Sequence, residues 1–505
     1  MALTAVALMT TSCAAAPAKG RPARPDAKSD PSAAATATSP ATATSPVTAD
    51  GRSDSDAQLW VKRYNGPANG TDEASSVAVS PDGRRVFVTG RSAGAAHKAD
   101  YATIAYNAAT GARLWTSRYN DAGNGFDYAT KVVVSPDSAT VYVTGSIYVG
   151  PGRDYVTIAY DASTGARKWV STYGGDAFNR PGAPPAMPGF PTGGTRPNAM
   201  IISQDGDTLF VTGSVIGQFD GENRFGFGTV AYDATTGTQL WANLYGPGLG
   251  SAAANAIGLS PDGRWLFVTG TFGEGQFAIV RYDPAKGNLQ WVRQGGHIRP
   301  EWPTSMAVSA TGESVFVART EPGVYTGWPH VCCQVAVSAY DAETGAQLWH
   351  TLGPEGMASS VAVSPATMNH HLQTRVYVVG AAFQASIAVA DDAVTGTLLW
   401  ASRHEPASRT RVDTDATAIV VSPGGSRIYV TGQSTGATSR PAYTTVAYTA
   451  SSGVRLWVRH YNAPDNGSAA ASSIAISATG HTVFVTGSST GKGSGLDYVT
   501  VAYRS

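Results

Sequence analysis

The 505-residue chain carries 36 Lys+Arg against 36 Asp+Glu, with only 14% charged residues, and so lacks the basic excess of a nucleic-acid binder. Its 57 Gly and 29 Pro are too many for a helical bundle, while 42% hydrophobic content is ample for a large core. Many short strands joined by turns satisfy both facts, in one large all-β unit or in domains of roughly 150 residues.

Residues 1–13 open the chain with a short apolar run, MALTAVALMTTS, that ends at Cys13 and is followed by AAAPA. The run reads as the hydrophobic part of a secretory signal and is too short to span a bilayer. TTSC is similar to a bacterial lipoprotein cleavage box, with Thr10 where that pattern prefers Leu. The expectation is either lipidation of Cys13 or cleavage near Ala16. Residues 14–55 are almost entirely Ala, Pro, Thr, Ser, Lys, Arg and Asp, a composition expected to form a disordered tether.

From residue 56 to residue 505 one phrase recurs. Its landmark is V-x-V-T-G: VFVTG at 86–90, VYVTG at 141–145, LFVTG at 209–213 and 266–270, VFVAR at 315–319, VYVVG at 376–380, IYVTG at 428–432 and VFVTG at 483–487. Before each copy stand a short apolar strand and a tight turn, as in SSVAVSPDG at 75–83. After it come a third strand such as TIAY at 103–106, a turn and a fourth strand, as in YDASTGARKW at 160–169. Four strands at a period near fifty residues are the signature of a β-propeller, and eight copies make eight four-stranded antiparallel blades. Eight of the eleven Trp hold one repeated position, from Trp60 to Trp457, where each is expected to pack on the neighbouring blade. Trp60 has no repeat before it, and the last repeat stops at Tyr503 without a fourth strand. Residues 56–64 are therefore expected to close the ring as the outer strand of the last blade.

The phrases AYDAETGAQLW at 339–349 and AYDATTGTQLW at 231–241 resemble the repeat of the eight-bladed pyrroloquinoline-quinone-like (PQQ-like, quinoprotein-type) propellers. Others, such as DYVTIAYDASTGARKWVSTYG at 154–174, resemble bacterial secreted propeller repeats of unassigned function. The resemblance spans residues 56–505. It implies the fold and leaves activity open, since the family holds both quinone-dependent dehydrogenases and noncatalytic lipoproteins that scaffold outer-membrane assembly. It also draws attention to Cys332 and Cys333, because quinoprotein alcohol dehydrogenases place a vicinal disulfide beside their cofactor. Equally, the two thiols stay reduced on opposite sides of a strand.

The S-P-D-G and D-A-x-T-G turns lie on one face of the disc and are alike in nearly every blade. Irregular insertions fall on the other face, where binding residues usually sit. Two of them, 294–305 and 319–334, hold His297, Arg299, Glu301, Trp302, Tyr325, Trp328 and His330, the candidate ligand- or partner-binding set. A mixed-charge run at 402–417, including Arg403 and His404, reads as a solvated loop. The Asp and Asn of NDAGNGFD, 120–127, and of YNAPDNGS, 461–468, read as turn formers, and His370-His371 as a turn on the structural face. Innermost strands such as TKVVVS and TAIVVS show no charged residue apart from Lys131, and nothing there suits acid–base or metal-assisted chemistry.

The expectation is an exported, monomeric, noncatalytic binding module, secreted or lipid-anchored at a bacterial surface, with a protein or glycan partner and no cofactor or metal. The alternatives are a quinoprotein-like oxidoreductase holding PQQ with calcium, and a carbohydrate-binding or polysaccharide-acting propeller.

Overall fold

In the D-A-x-T-G turn of blade 2, the Asp161 carboxylate accepts the amides of Ser163 and Thr164 at 3.0 and 2.9 Å, and Gly165 donates to the Asp161 carbonyl at 2.8 Å. Gly165 takes φ +74°, a left-handed conformation that glycine alone adopts without a steric penalty. Such turns, alternating with the S-P-D-G turns, fold each repeat into an antiparallel four-stranded sheet. The computed structural model describes residues 58–94, 98–121, 125–149, 152–174, 195–219, 222–246, 252–273, 275–295, 302–323, 333–365, 374–382, 385–405, 415–435 and 440–505. The chain divides into two units, Met1–Pro46 and Val47–Ser505, and every described residue lies in the second.

The described residues form eight sheets of four strands, and seven of them run inner to outer in chain order. In the eighth, Gln58–Tyr64 pairs antiparallel with Leu496–Arg504, with Trp60 opposite Ala502. The ring is closed by its N-terminal strand, as the incomplete ends of the repeat array require. The innermost strands touch in cyclic order, the last (Ala469–Ile476) meeting the first (Asp72–Val79).

The hydrophobic core is not one mass. It consists of eight slabs, each filling the seam between two neighbouring blades. At the outer end of a seam, the Trp of one blade lies under the D-A-x-T-G turn of the next and donates its indole N–H to a carbonyl there: Trp60 to Ala108 at 2.9 Å, Trp115 to Ala162 at 3.1 Å, Trp169 to Ala234 at 3.0 Å. A side chain on Gly165 would meet the Trp115 ring at 2.6 Å, so the indole needs a glycine above it.

At the inner end each first strand carries a bulge, and in five blades the extra residue is seen to reach the next blade. Ser75 donates to the Ala129 carbonyl at 3.0 Å, Thr130 to Pro197 at 3.0 Å, Thr417 to Ala471 at 3.1 Å and Ser472 back to Ala74 at 2.7 Å. This inner clasp has no strong sequence signature, since Ser, Thr and Asn all serve. Past the bulge the inner strands continue further than their apolar alternation suggests. Asp72, Glu73, Arg196 and Asp415 thus stand within inner strands, which corrects the expectation that Lys131 is the only charge there.

Two further boundaries differ from expectation. Trp302 is the first residue of an inner strand, Trp302–Val308, paired with Thr320, rather than part of an insertion. His404 is buried at the end of an outer strand, Leu398–His404, where the Arg455 guanidinium approaches its Nδ1 at 3.2 Å. It belongs to a seam and not to a solvated loop.

Candidate functional site

Repeat columns make departures visible, and several fall in one seam, between blades 4 and 5. The residue after the docking Trp is Val61, Thr116, Val170, Ala242, Val292, Ala401 or Val458 in seven blades, and His350 in blade 5. The column of Ile104, Ile158, Val230, Val280, Val389, Val446 and Val501 holds Ser338 there. Arg319 stands where the other blades have the Gly of V-x-V-T-G. Alternation turns all three toward blade 4. The opposite wall departs too, with Arg281 where the other blades have Ala.

These side chains form one network. Arg319 Nη2 donates to Ser338 Oγ at 2.8 Å and lies 3.0 Å from Glu321 Oε1 and 3.1 Å from His350 Nδ1, while its Cζ stands 4.6 Å over the Phe277 ring. Ser338 Oγ is 3.0 Å from the same Nδ1. A guanidinium only donates, so Nδ1 is the acceptor and the imidazole carries its proton on Nε2, which faces Glu321 Oε2 at 3.7 Å. A cleft of about 260 Å³ opens beside the network, lined also by Arg293, Gln294 and Gly295 from the outer strand of blade 4.

Blade 4 supplies a wall of cations and indoles. Arg281 donates to the Ala342 carbonyl at 3.0 Å, the acceptor that a docking Trp would otherwise use, and the buried Trp291 N–H is left without one among the described residues. Arg281 also stacks 3.9 Å over Trp265, the third Trp outside the repeat, and burial lowers its affinity for its proton. Arg293 bonds the carbonyls of Gly345 and Thr344 at 2.7 and 2.8 Å. The arrangement suits ionic and hydrogen-bonded recognition. Ser338 is fully buried behind Arg319 and acts as a strut rather than a nucleophile.

The cleft adjoins the insertions that the sequence singles out. Gln294 and Gly295 open the first, and Glu321 stands at the near end of the second. His297, Arg299, Glu301, Tyr325, Trp328 and His330 lie outside the described residues, as do Cys13, Cys332 and His370-His371. Cys333 opens the third strand of blade 5, opposite Pro322. Composition and loop length do not single out Arg319, Glu321, Ser338, His350, Arg281 or Trp265 as a group. Alignment of the eight repeats column by column finds most of them.

A quinone cofactor of the PQQ type needs a metal cage of oxygen ligands. Among the described residues no three His, Cys, Asp or Glu side chains gather in that way. Lys131 is exposed on its inner strand, in a column otherwise filled by Ser76, Ala199, Ala256, Ser305, Ser360, Ala418 and Ser473. The protein around it lowers its ammonium pKa by desolvation.

The family model described as outer membrane protein assembly factor BamB matches residues 47–189, 152–429 and 226–494. No curated protein matches the chain. Among solved structures, Sqt1 from Chaetomium thermophilum aligns at TM-score 0.55 and 11% identity, over 89% of this chain and 98% of that one. The Dos1 propeller aligns at TM-score 0.54 and 11% identity, over 90% and 97%. Both likenesses concern the fold alone. A quinohemoprotein alcohol dehydrogenase from Comamonas testosteroni aligns at TM-score 0.37 and 14% identity, over 83% and 65%, which is too loose to bear on chemistry.

Proposed function

Because the chain belongs to the family described as outer membrane protein assembly factor BamB, we propose that it is a noncatalytic binding scaffold of the bacterial cell envelope, which takes its partner at the seam between blades 4 and 5. One observation carries the reading. The Arg319–Glu321–Ser338–His350 network replaces apolar packing in that seam, beside an open cleft and two long insertions. A purely structural seam would keep the Gly, Ile and Val of the repeat, because buried ionic groups seldom stabilise more than apolar ones of similar volume. No helix among the described residues is long and apolar enough to cross a membrane. Attachment through Cys13 is part of the proposal, as is a protein or glycan partner.

The test is a photo-crosslinking amino acid at Gln294, irradiated in the native envelope fraction. The reading expects a discrete adduct that is lost in Arg319→Gly, and an adduct indifferent to that substitution counts against it. Incubation with pyrroloquinoline quinone and Ca²⁺ covers the oxidoreductase alternative. Binding with dye-linked oxidation of an alcohol or sugar would overturn the scaffold reading.

A further inference from the structure

In five blades the third and fourth strands set two aromatic rings side by side. Tyr119 covers Tyr101, Tyr173 covers Tyr155, Tyr245 covers Phe227, Tyr461 covers Tyr443 and Tyr64 covers Tyr498, each pair in direct register. The ring centroids stand 5.3–5.8 Å apart and the planes are inclined by 57–62°, the edge-on geometry that aromatic pairs prefer. The covering Tyr is the fourth residue after the docking Trp and packs into the seam toward the next blade.

Blade 4 keeps the inner ring and loses its cover. Phe277 stands in register with Gly295. Blades 5 and 6 depart differently, because Val335 and Ser386 leave no ring to cover. The loss coincides with the cleft of about 260 Å³, which both Phe277 and Gly295 line. The cleft therefore opens where the repeat elsewhere places a phenol ring. Phe277 is buried and turns its ring edge, Cε1 and Cζ, toward Gly295, while Arg319 lies 4.6 Å over its face. An edge suits an aromatic partner, whereas a sugar ring needs an open face on which to stack.

In three of the five pairs the covering hydroxyl accepts a bond from the next blade. Arg118 donates to Tyr64 at 3.1 Å, Arg63 to Tyr461 at 2.9 Å and Gln294 to Tyr245 at 2.7 Å. These donors share one column, the third residue after the docking Trp, and in blade 5 that column holds the exposed Leu352. Polar side chains of Gln294, Glu321, Gln347 and His350 line the rest of the cleft. An aromatic anchor buried inside a polar rim is where the energy of a protein–protein contact is usually concentrated.

On the reading that the partner binds at this seam, we propose that the cleft is a socket for one aromatic side chain, a tyrosine presented by a partner protein. Its ring takes the place beside Phe277 that Gly295 leaves open.

The experiment uses the full chain with N-acetyl-tyrosinamide as probe, followed by saturation transfer from the protein to the probe's ring protons. Transfer is expected for the wild type and should be lost in Gly295→Tyr, which fills the socket from within. That variant is expected to fold with a urea midpoint no lower than the wild type's, because only the free end of the Phe277 ring has to move to admit a Cβ. Leu352→Arg is a second, exposed change that restores the hydroxyl donor of the repeat. It should tighten N-acetyl-tyrosinamide binding by about three-fold or more and leave N-acetyl-phenylalaninamide binding unchanged. In the envelope fraction, the adduct from the crosslinker at Gln294 should also disappear in Gly295→Tyr. The proposal is overturned if the tyrosine probe shows no transfer, or if transfer survives Gly295→Tyr. Transfer to cellobiose but not to the tyrosine probe overturns it in favour of a glycan. An adduct that persists in Gly295→Tyr would refute the socket and leave the seam as the partner site, whereas no adduct in the wild type would refute the seam itself.

Discussion

Asp391 takes the place that Tyr holds in the third strand of the seven other blades, from Tyr106 to Tyr503. It is almost wholly buried, its Oδ1 has no partner among the described residues, and burial pushes its carboxyl up to about 7. Asp127 is alike: burial, which outweighs the amide bond from Asp121, raises it to about 7. A carboxyl raised in this way holds its proton in the folded state after the unfolded chain has released it. Stability is therefore full below about pH 4 and falls by up to about 1.4 kcal/mol per pH unit per group as pH rises toward 7. Asp391→Asn should flatten that limb and stabilise the protein at pH 8 by on the order of 2 kcal/mol, as read from urea midpoints at pH 5 and pH 8. His404 works in the other sense. Burial, with Arg455 and His460, lowers it to about 4, so its contribution is present above about pH 6.5 and lost below. At Gly165 the constraint is steric. Gly165→Ala sets a Cβ against Trp115 at a left-handed φ and should destabilise the protein by about 1–3 kcal/mol in denaturant titrations, whereas the same change at the open Gly424 should be nearly silent.

Strand Gln58–Tyr64 shows how much of a single element the repeat pattern alone determines. Its Trp60 has no repeat ahead of it, and the last repeat lacks an outer strand, so the two have to meet; they do, with Trp60 opposite Ala502 and packed on Phe484. Trp60→Ala should cost about 3–5 kcal/mol and lower the urea midpoint accordingly, because it empties the seam between blades 8 and 1. Strands, turns and blade count are legible in the sequence because they are set by short-range alternation and turn residues repeated eight times. The inner clasp is not, since Ser75, Thr130 and Asn198 donate equally well with unlike side chains. The cleft is legible only in part. The insertions point to blades 4 and 5, but Arg319 and His350 lie inside strands, and burial next to Glu321 depends on a seam between residues far apart in the chain.

Across the whole molecule, seven seams keep the apolar columns of the repeat on both walls far more closely than the eighth. Returning that eighth seam to the repeat pattern with Arg319→Gly, Glu321→Val, Ser338→Ile and His350→Val should leave stability unchanged or raise it by about 1–4 kcal/mol, while abolishing crosslinking from Gln294. Loss of both would mean that the network is structural. The closure strand also bears on how the molecule comes into being. Gln58–Tyr64 emerges from the ribosome ahead of every blade, and its partner, Leu496–Arg504, emerges with the final repeat. Until then the first-made strand has nothing to pair with, and the last blade presents a bare edge. Assembly must therefore run as a stack of seams that grows blade by blade and locks in one late step of very high contact order, slow by comparison with any seam before it. During that interval a loose strand of the same register from a second chain could take the vacant edge. Nascent-chain concentration, rather than the stability of the finished ring, would then govern whether rings or linked chains accumulate.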